Sequence, residues 1–347
     1  MVATRVRMQP SSLHLPPPTR ETLPQVYSGD TTTLLPLNET LGFEAIFAVN
    51  MPTRPDKRDE LYLLAHTAGL KIDVRDGVDG KTIKHQQAPD MIGHLGALRG
   101  HANVLREIVD RKLTSALVIE DDADWDVDLR VALQRLMGPL ATLRQSLHPD
   151  ARITRPSAWA PWGENDFDVL WFGHTHEASW NEAGGPRPYV TYEDDTMADF
   201  EKTEPQNRWV YNDYRIALPK QEHSEELAPP RRIIQKGRHP MGSQAYVLTL
   251  RGAMKMLYHI NHVPFRPFDE QLKYMLETDV LDSYCVVPAL FSMYLAPWES
   301  TDSDVSVAQG VDKPRILTGS DGFAWDIRKS SRASLEDRLG ATVPKRP

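Results

Sequence analysis

A single cysteine, Cys285, stands in 347 residues. One thiol closes no intrachain disulfide and builds no multi-thiolate metal centre, so both of those scaffolds are excluded. Beside Val286 and Val287 it reads as a small buried apolar residue. Long apolar runs are missing too. The longest, Val286 to Pro297, is about a dozen residues broken by Pro288 and Ser292, short of the roughly 18–20 that a bilayer span requires. The N-terminal stretch lacks the continuous apolar core of a secretory signal. There is no basic surplus either: Lys plus Arg number 40 against 48 Asp plus Glu, a net charge of −8. That balance excludes a general nucleic-acid binder, which neutralises phosphates with excess cations, but leaves room for a local pocket that holds a phosphorylated small molecule.

What is present suits a folded α/β chain, with 40% hydrophobic and 25% charged residues. Residues 1–42 mix Pro10, Pro16, Pro17, Pro18, Pro24 and Pro36 with Ser and Thr and show no apolar period, so they read as a disordered arm. From residue 43 the character changes. Residues 44–50 form a short apolar run of the kind that makes a buried strand. Pro55 and Asp56 suit a helix start, Leu61, Leu64, Ala65 and Ala68 share one face, and Gly69 stops it. Residues 71–74 read as a second strand, ended by the turn Asp76 to Gly80. A helix follows over 92–112 with Leu95, Leu98, Ala102, Leu105 and Val109 on its buried stripe, then a strand over 115–119. This βαβ rhythm predicts a parallel sheet, with ligands beyond the carboxyl ends of its strands.

Further strands are expected at 167–172, 243–249 and 286–295, and helices from Ala253 and Pro267. Residues 178–238 are polar and Pro-rich and read as a long insertion, and 321–347 as a mobile tail. The domain proper is expected over 43–320.

The densest chemistry is Glu120, Asp121, Asp122 and Asp124, directly after an apolar strand. Clustered carboxylates repel unless a cation joins them, and hard oxygen ligands suit Mg²⁺, Mn²⁺ or Ca²⁺. An EF-hand is excluded, because a loop starting at Asp122 would need Gly and Glu where Val127 and Leu133 stand. An exposed acidic loop is the plain alternative. His174 and His176 alternate after a strand and could face one ion, as in a metal-dependent hydrolase, or be ordinary polar loop residues. His94 and His101 lie seven apart on one helix, hence on nearly the same face.

In order, the motifs resemble the family 25 glycosyltransferases, which include bacterial lipopolysaccharide and animal procollagen galactosyltransferases. Ala48 to Met51 and Arg54 to Arg58 stand where that family has Asn-Leu and Arg-x-Asp-Arg. Val78-Asp79-Gly80 matches its Val-Asp-Gly turn, Gly96 to His101 echoes its Gly-x-x-x-Ser-His helix, and Glu120-Asp121-Asp122 is its Glu-Asp-Asp. Ala245 to Thr249 and Pro267 to Glu270 complete the series, which covers roughly residues 43–300.

The resemblance implies a GT-A-type fold: α/β, with a mixed, mostly parallel sheet flanked by helices. It implies transfer of a hexose, galactose most often, from a UDP-sugar to a hydroxyl of a carbohydrate or protein acceptor, with inversion. Asp122 and Asp124, or Asp121 in place of one of them, would hold a divalent metal, Mn²⁺ or Mg²⁺, on the diphosphate. Asn50, Arg54, Arg58, His101 and Asp121 would meet the nucleotide sugar. Asp269, or failing it Glu270, would take the acceptor proton, although an Asp after Pro-x also serves as a helix cap. The late histidine ligand of many GT-A enzymes has no counterpart in residues 296–302, where Trp298, Asp302 and Asp304 stand nearby. A binding protein of this fold without turnover is the second reading. Family members often work in the secretory pathway, and the sequence names no compartment.

Overall fold

The structure, a computed structural model, describes residues 25–27, 37–84, 91–150, 157, 161–162, 167–174, 176–177, 188–197, 231–237, 239–295, 305, 323–324 and 327–340. In chain order the elements are β1 (Gln25–Val26), β2 (Ala45–Asn50), α1 (Pro55–Ala68), β3 (Asp73–Asp76), α2 (Ile92–Asp110), β4 (Ser115–Glu120), β5 (Ala123–Trp125), α3 (Leu129–Leu147), β6 (Val169–Gly173) and β7 (His176–Glu177). They continue with β8 (Tyr189–Glu193), β9 (Arg231–Lys236), β10 (Pro240–Met241), β11 (Ala245–Thr249), α4 (Leu250–His262), α5 (Phe268–Glu277), β12 (Ser283–Val287), β13 (Phe291–Leu295), β14 (Phe323–Ala324) and α6 (Ser331–Leu339).

The first half builds as its residue pattern dictates. Pro55 fits the first turn of α1, where its missing N–H costs nothing, and Asp56 lies at the positive helix end. Gly69 ends the helix in the left-handed conformation, φ 60°, which a glycine adopts without strain. Leu61 and Leu64 are fully buried, and each contributes about 1.5–3 kcal/mol by leaving water.

A mixed sheet runs β1-β8-β9-β12-β6-β11-β4-β2-β3, with β13 extending from β6 to β5 and β14. β2 pairs in parallel with both β3 and β4, whereas β11 lies antiparallel to β4 and β6. The strand alternation sorts the core into two layers. Ile46, Ala48, Leu117 and Ile119 face α1 and α3. Ala45, Phe47, Ala116 and Val118 face α2, α4 and α5. The α/β class is therefore as expected, consistent with a GT-A-type fold.

Five expectations change. Residues 178–238 are not all insertion: β8 and β9 lie within them and join the main sheet, with Val190, Ile233 and Ile234 buried. The run 286–295 is two strands, β12 and β13, broken at Pro288, whose ring removes the N–H a continuous ladder needs. Helix α3 stands where no element is expected, although Leu129, Leu133, Leu136, Leu140 and Leu143 keep a helical period through Pro139. Within the expected tail 321–347, β14 and α6 are ordered, and Arg332 of α6 is 5% exposed. Of the N-terminal arm, β1 pairs with β8.

Candidate functional site

From β2 the chain crosses by α1 to β3 on one side, then returns by α2 to β4 on the other side of β2. Such a reversal of strand order opens a crevice beyond the carboxyl ends of the two diverging strands. A cleft of about 160 Å³ lies there, bordered by Val49 at the end of β2 and by Glu120, Asp121 and Asp122 after β4. Its opposite wall is the turn Gly77–Gly80 and the first turns of α2. That wall exists because the backbones touch. A Cβ on Gly96 would lie 2.3 Å from the Val78 carbonyl, and one on Gly80 would lie 1.8 Å from that of Ile92. Only glycine permits such approach.

The acidic run is divided by its partners. Asp121 is buried and accepts from Asn50 Nδ2 at 2.9 Å and from Lys57 Nζ at 3.2 Å. Asp124 is fully buried and turned away from the cleft. Its Oδ1 accepts the N–H groups of Trp125 and Arg332 at 2.8 and 3.2 Å, and its Oδ2 accepts the Ser330 hydroxyl. Burial pushes the Asp124 carboxyl up to about 6, against the pull of Ser330 and Arg332. Asp126 and Asp128 continue the pattern, accepting from the Lys329 N–H at 2.7 Å and from Arg328 Nη2 at 2.6 Å. Alternate acids of this strand end thus hold the segment 328–332.

Asp122 is different. It lines the cleft, and its Oδ1 is buried without a hydrogen-bond partner. Burial raises its carboxyl to about 7, Lys57 opposes the rise, and Glu120 and Asp121 add to it. A buried, unpartnered hard oxygen among like charges fits a divalent cation. Asp124 does not fit one, because its oxygens are already hydrogen-bonded to the chain. The expected ligand pair is therefore split. Among the described residues, no group of three or more His, Cys, Asp or Glu side chains could hold a metal ion.

His101 and Glu120 form the third wall. His101 Nδ1 lies 2.8 Å from the Tyr246 hydroxyl, its Nε2 lies 3.7 Å from Glu120 Oε1, and its ring stacks on Phe268 at 4.2 Å. Burial pushes the Glu120 carboxyl up, but His101, Ser243 and Lys57 outweigh it and hold the group below its ordinary value.

Other expected residues stand elsewhere. Asn50 is buried beneath the cleft, holding Asp121 and accepting Arg58 Nε at 2.9 Å. Arg58 continues to Asp76, and Arg54 forks onto Asp56 at 2.6 and 3.0 Å. Neither arginine lines the cleft. Among the described residues, the Lys or Arg that lines it is Lys57, which no motif singles out. A signal for it exists all the same: Lys57 shares the buried face of α1 with Leu61 and Leu64, a cation on an apolar stripe.

Asp269 begins α5, with Oδ1 accepting the Glu270 N–H at 2.9 Å and Oδ2 the Gly242 N–H at 3.0 Å. It lies outside the cleft, but its partner Gly242 adjoins Ser243, which donates to Glu120. Glu270 lines a separate small pocket with Arg266, Lys273 and Glu277. His94 does not line the cleft. His174 is buried and donates from Nε2 to the Val286 carbonyl at 2.8 Å. The His176 side chain, Trp298, Asp302 and Asp304 lie outside what the structure describes.

Part of the chain is similar to known proteins. Human procollagen galactosyltransferase 2 is 27% identical over 117 residues, 28% of this chain and 19% of that protein. Procollagen galactosyltransferase 1 of Danio rerio is 31% identical over 117 residues, with the same shares. The chain is similar to the family 25 glycosyltransferases. The matched stretch spans about a fifth of the length of these relatives. The probable inactive glycosyltransferase 25 family member 3 of Rattus norvegicus is 26% identical over 125 residues, 30% of this chain and 22% of that protein. So the family 25 relatives include proteins named as transferases and proteins named as inactive. No family model matches the chain. No helix of the described residues is long and apolar enough to cross a membrane.

Proposed function

We propose that the chain is a glycosyltransferase that moves a hexose, galactose in the first instance, from a UDP-sugar to a hydroxyl acceptor with inversion. The observation that carries this reading is Asp122. In a run whose other acids are held by the protein, it alone presents an unpartnered buried oxygen at a crevice bordered by Lys57.

The wall made by the Gly77–Gly80 turn and the first turns of α2 presents backbone, Val78, Ile92 and Ala97 to the cleft, an apolar surface that suits a flat base. The diphosphate would then lie towards Lys57 and Asp122. Lys57 brings positive charge to the leaving group from a buried position, where electrostatic stabilisation is strongest. A divalent cation, Mn²⁺ or Mg²⁺, held by Asp122 would neutralise charge on the departing UDP. Glu120, kept ionised by its neighbours, would accept hydrogen bonds from donor hydroxyls. A general base works best with a pKa near the operating pH, and Glu120 is held on the wrong side of its ordinary value for that. The acceptor proton is assigned to Asp269, which stands in the Pro267-to-Glu270 motif and is linked to Glu120 through Gly242 and Ser243.

The test is UDP release from a panel of UDP-sugars, with Mn²⁺ and again with chelator. Metal-dependent release from one sugar is expected. UDP binding without release from any donor and acceptor pair would mark a binding protein of this fold, as the inactive relatives suggest. No UDP binding at all would overturn the reading.

A further inference from the structure

The backbone carbonyls of three consecutive residues at the cleft edge are each held by a distant part of the chain. Arg332 Nη2 donates to the Asp121 carbonyl at 2.7 Å and to the Ala123 carbonyl at 3.2 Å. The Asp122 carbonyl, on the other side of the strand, accepts the Tyr294 N–H at 2.9 Å. The same guanidinium pairs with Glu60 of α1 and lies 5.5 Å over the Tyr294 ring, and the Arg332 N–H donates to Asp124. Arg332 is 5% exposed and lines no part of the cleft.

We propose that Arg332 is a positioning residue of the nucleotide site, which fixes the backbone of residues 121–123 and so aims the Asp122 carboxylate into the cleft. A planar fork that serves two carbonyls and a carboxylate at once does what no single-point cation can. With the carbonyls at 121 and 123 fastened on one side and that at 122 on the other, the strand cannot roll. Asp122 is then held towards the crevice while Asp124 stays buried. The C-terminal segment supplies geometry here, not a ligand. The inference rests on the transferase reading of the cleft.

Arg328 provides the control. It ties the same segment to Asp126, Asp128 and the Asp195 carbonyl but touches none of residues 121–123. In the full chain, Arg332→Ala is expected to weaken UDP binding in the presence of Mn²⁺ by roughly tenfold or more, the scale on which small misplacements are felt. Millimolar guanidinium should restore part of that loss. Arg328→Ala should lower the melting temperature while leaving UDP affinity within about twofold, because its contacts lie away from the aimed carboxylate. If Arg332→Ala does not fold, Arg332→Lys takes its place. Equal loss in the two variants, or unchanged affinity in Arg332→Ala, overturns the proposal. If the parent protein binds no UDP, the transferase reading fails by itself. Amide exchange at residues 122–124 then decides: faster exchange in Arg332→Ala than in Arg328→Ala supports the clasp, and equal exchange refutes it.

Discussion

Lys57 Nζ lies 3.2 Å from Asp121 Oδ1, with the two residues 3% and 8% exposed. The pair joins the buried face of α1 to the acidic end of β4, and it does so at the edge of the cleft. Removing one member leaves the other charged and buried, a loss of about 3–5 kcal/mol. Lys57→Met should therefore lower stability to urea strongly, and the double variant Lys57→Met, Asp121→Asn should recover much of it. A double-mutant cycle that shows no coupling would dissolve the pair as a unit.

Asp122 and Asp124 should separate cleanly. Asp124→Asn disturbs contacts to Ser330 and Arg332 and is expected to cost about 1–3 kcal/mol, as unsatisfied buried groups do. Asp122→Asn has no hydrogen bond to lose at Oδ1 and should leave the melting temperature unchanged or raise it. It should abolish Mn²⁺-dependent UDP binding, read by titration calorimetry. The reverse pattern would mean that the acids have exchanged roles.

Gly96→Ala probes the wall of the cleft. Its Cβ would press on the Val78 carbonyl at 2.3 Å, which the turn can relieve only by moving off α2. A loss of about 1–3 kcal/mol is expected, as for other overpacked sites, with UDP affinity falling further than stability explains. Wild-type nucleotide binding in this variant would place the base elsewhere.

Glu107 gives the pH dependence. Arg75 forks onto it at 2.6 and 2.7 Å and Arg111 adds a contact at 2.8 Å. The Arg75 pair holds the Glu107 carboxyl at about 2, against its ordinary 4.5, despite partial burial. A carboxyl depressed on folding stabilises above its unfolded value, and that stability is lost as pH falls from about 4.5 towards 2. Because the pair is partly exposed, its worth at neutral pH is about 1 kcal/mol or less. Glu107→Gln should be less stable than the parent by that amount at pH 7, and the gap should close on acidification, followed by urea unfolding at several pH values.

On the proposed transferase reading, Asp269 serves catalysis and Glu120 serves donor binding. Asp269→Asn should lower kcat by about 10²-fold or more with little change in KM, as expected for a lost base. Glu120→Gln should chiefly raise the donor KM. A kcat collapse in Glu120→Gln with Asp269→Asn near normal would move the base to the cleft wall.

Much of the site is legible in the order of the residues alone. Short apolar runs ending in Asn50 and Glu120, with amphipathic helices between them, specify parallel strands whose carboxyl ends meet, and the acidic residues must then stand at the crevice. Gly80 and Gly96 are visible as motif members, though not as backbone contacts. Lys57 is hidden only because a cation on a helix reads as solvated until its apolar neighbours on the same face are counted. The arginines mislead for the opposite reason: Arg54 and Arg58 find carboxylates close at hand in Asp56 and Asp76 and turn to them rather than to the cleft.

The sequence by itself determined the periodicities, hence the α/β class, the crevice and the acids beside it, because those follow from spacing along the chain. The division of labour among the acids was decided by the tertiary structure alone. Nothing within residues 120–128 distinguishes Asp122 from Asp124. The distinction arises because Ser330 and Arg332, more than 200 residues onward, take up the oxygens of one and leave the other facing the cleft. Long-range hydrogen bonds of that kind carry no local pattern, so only the folded chain displays them.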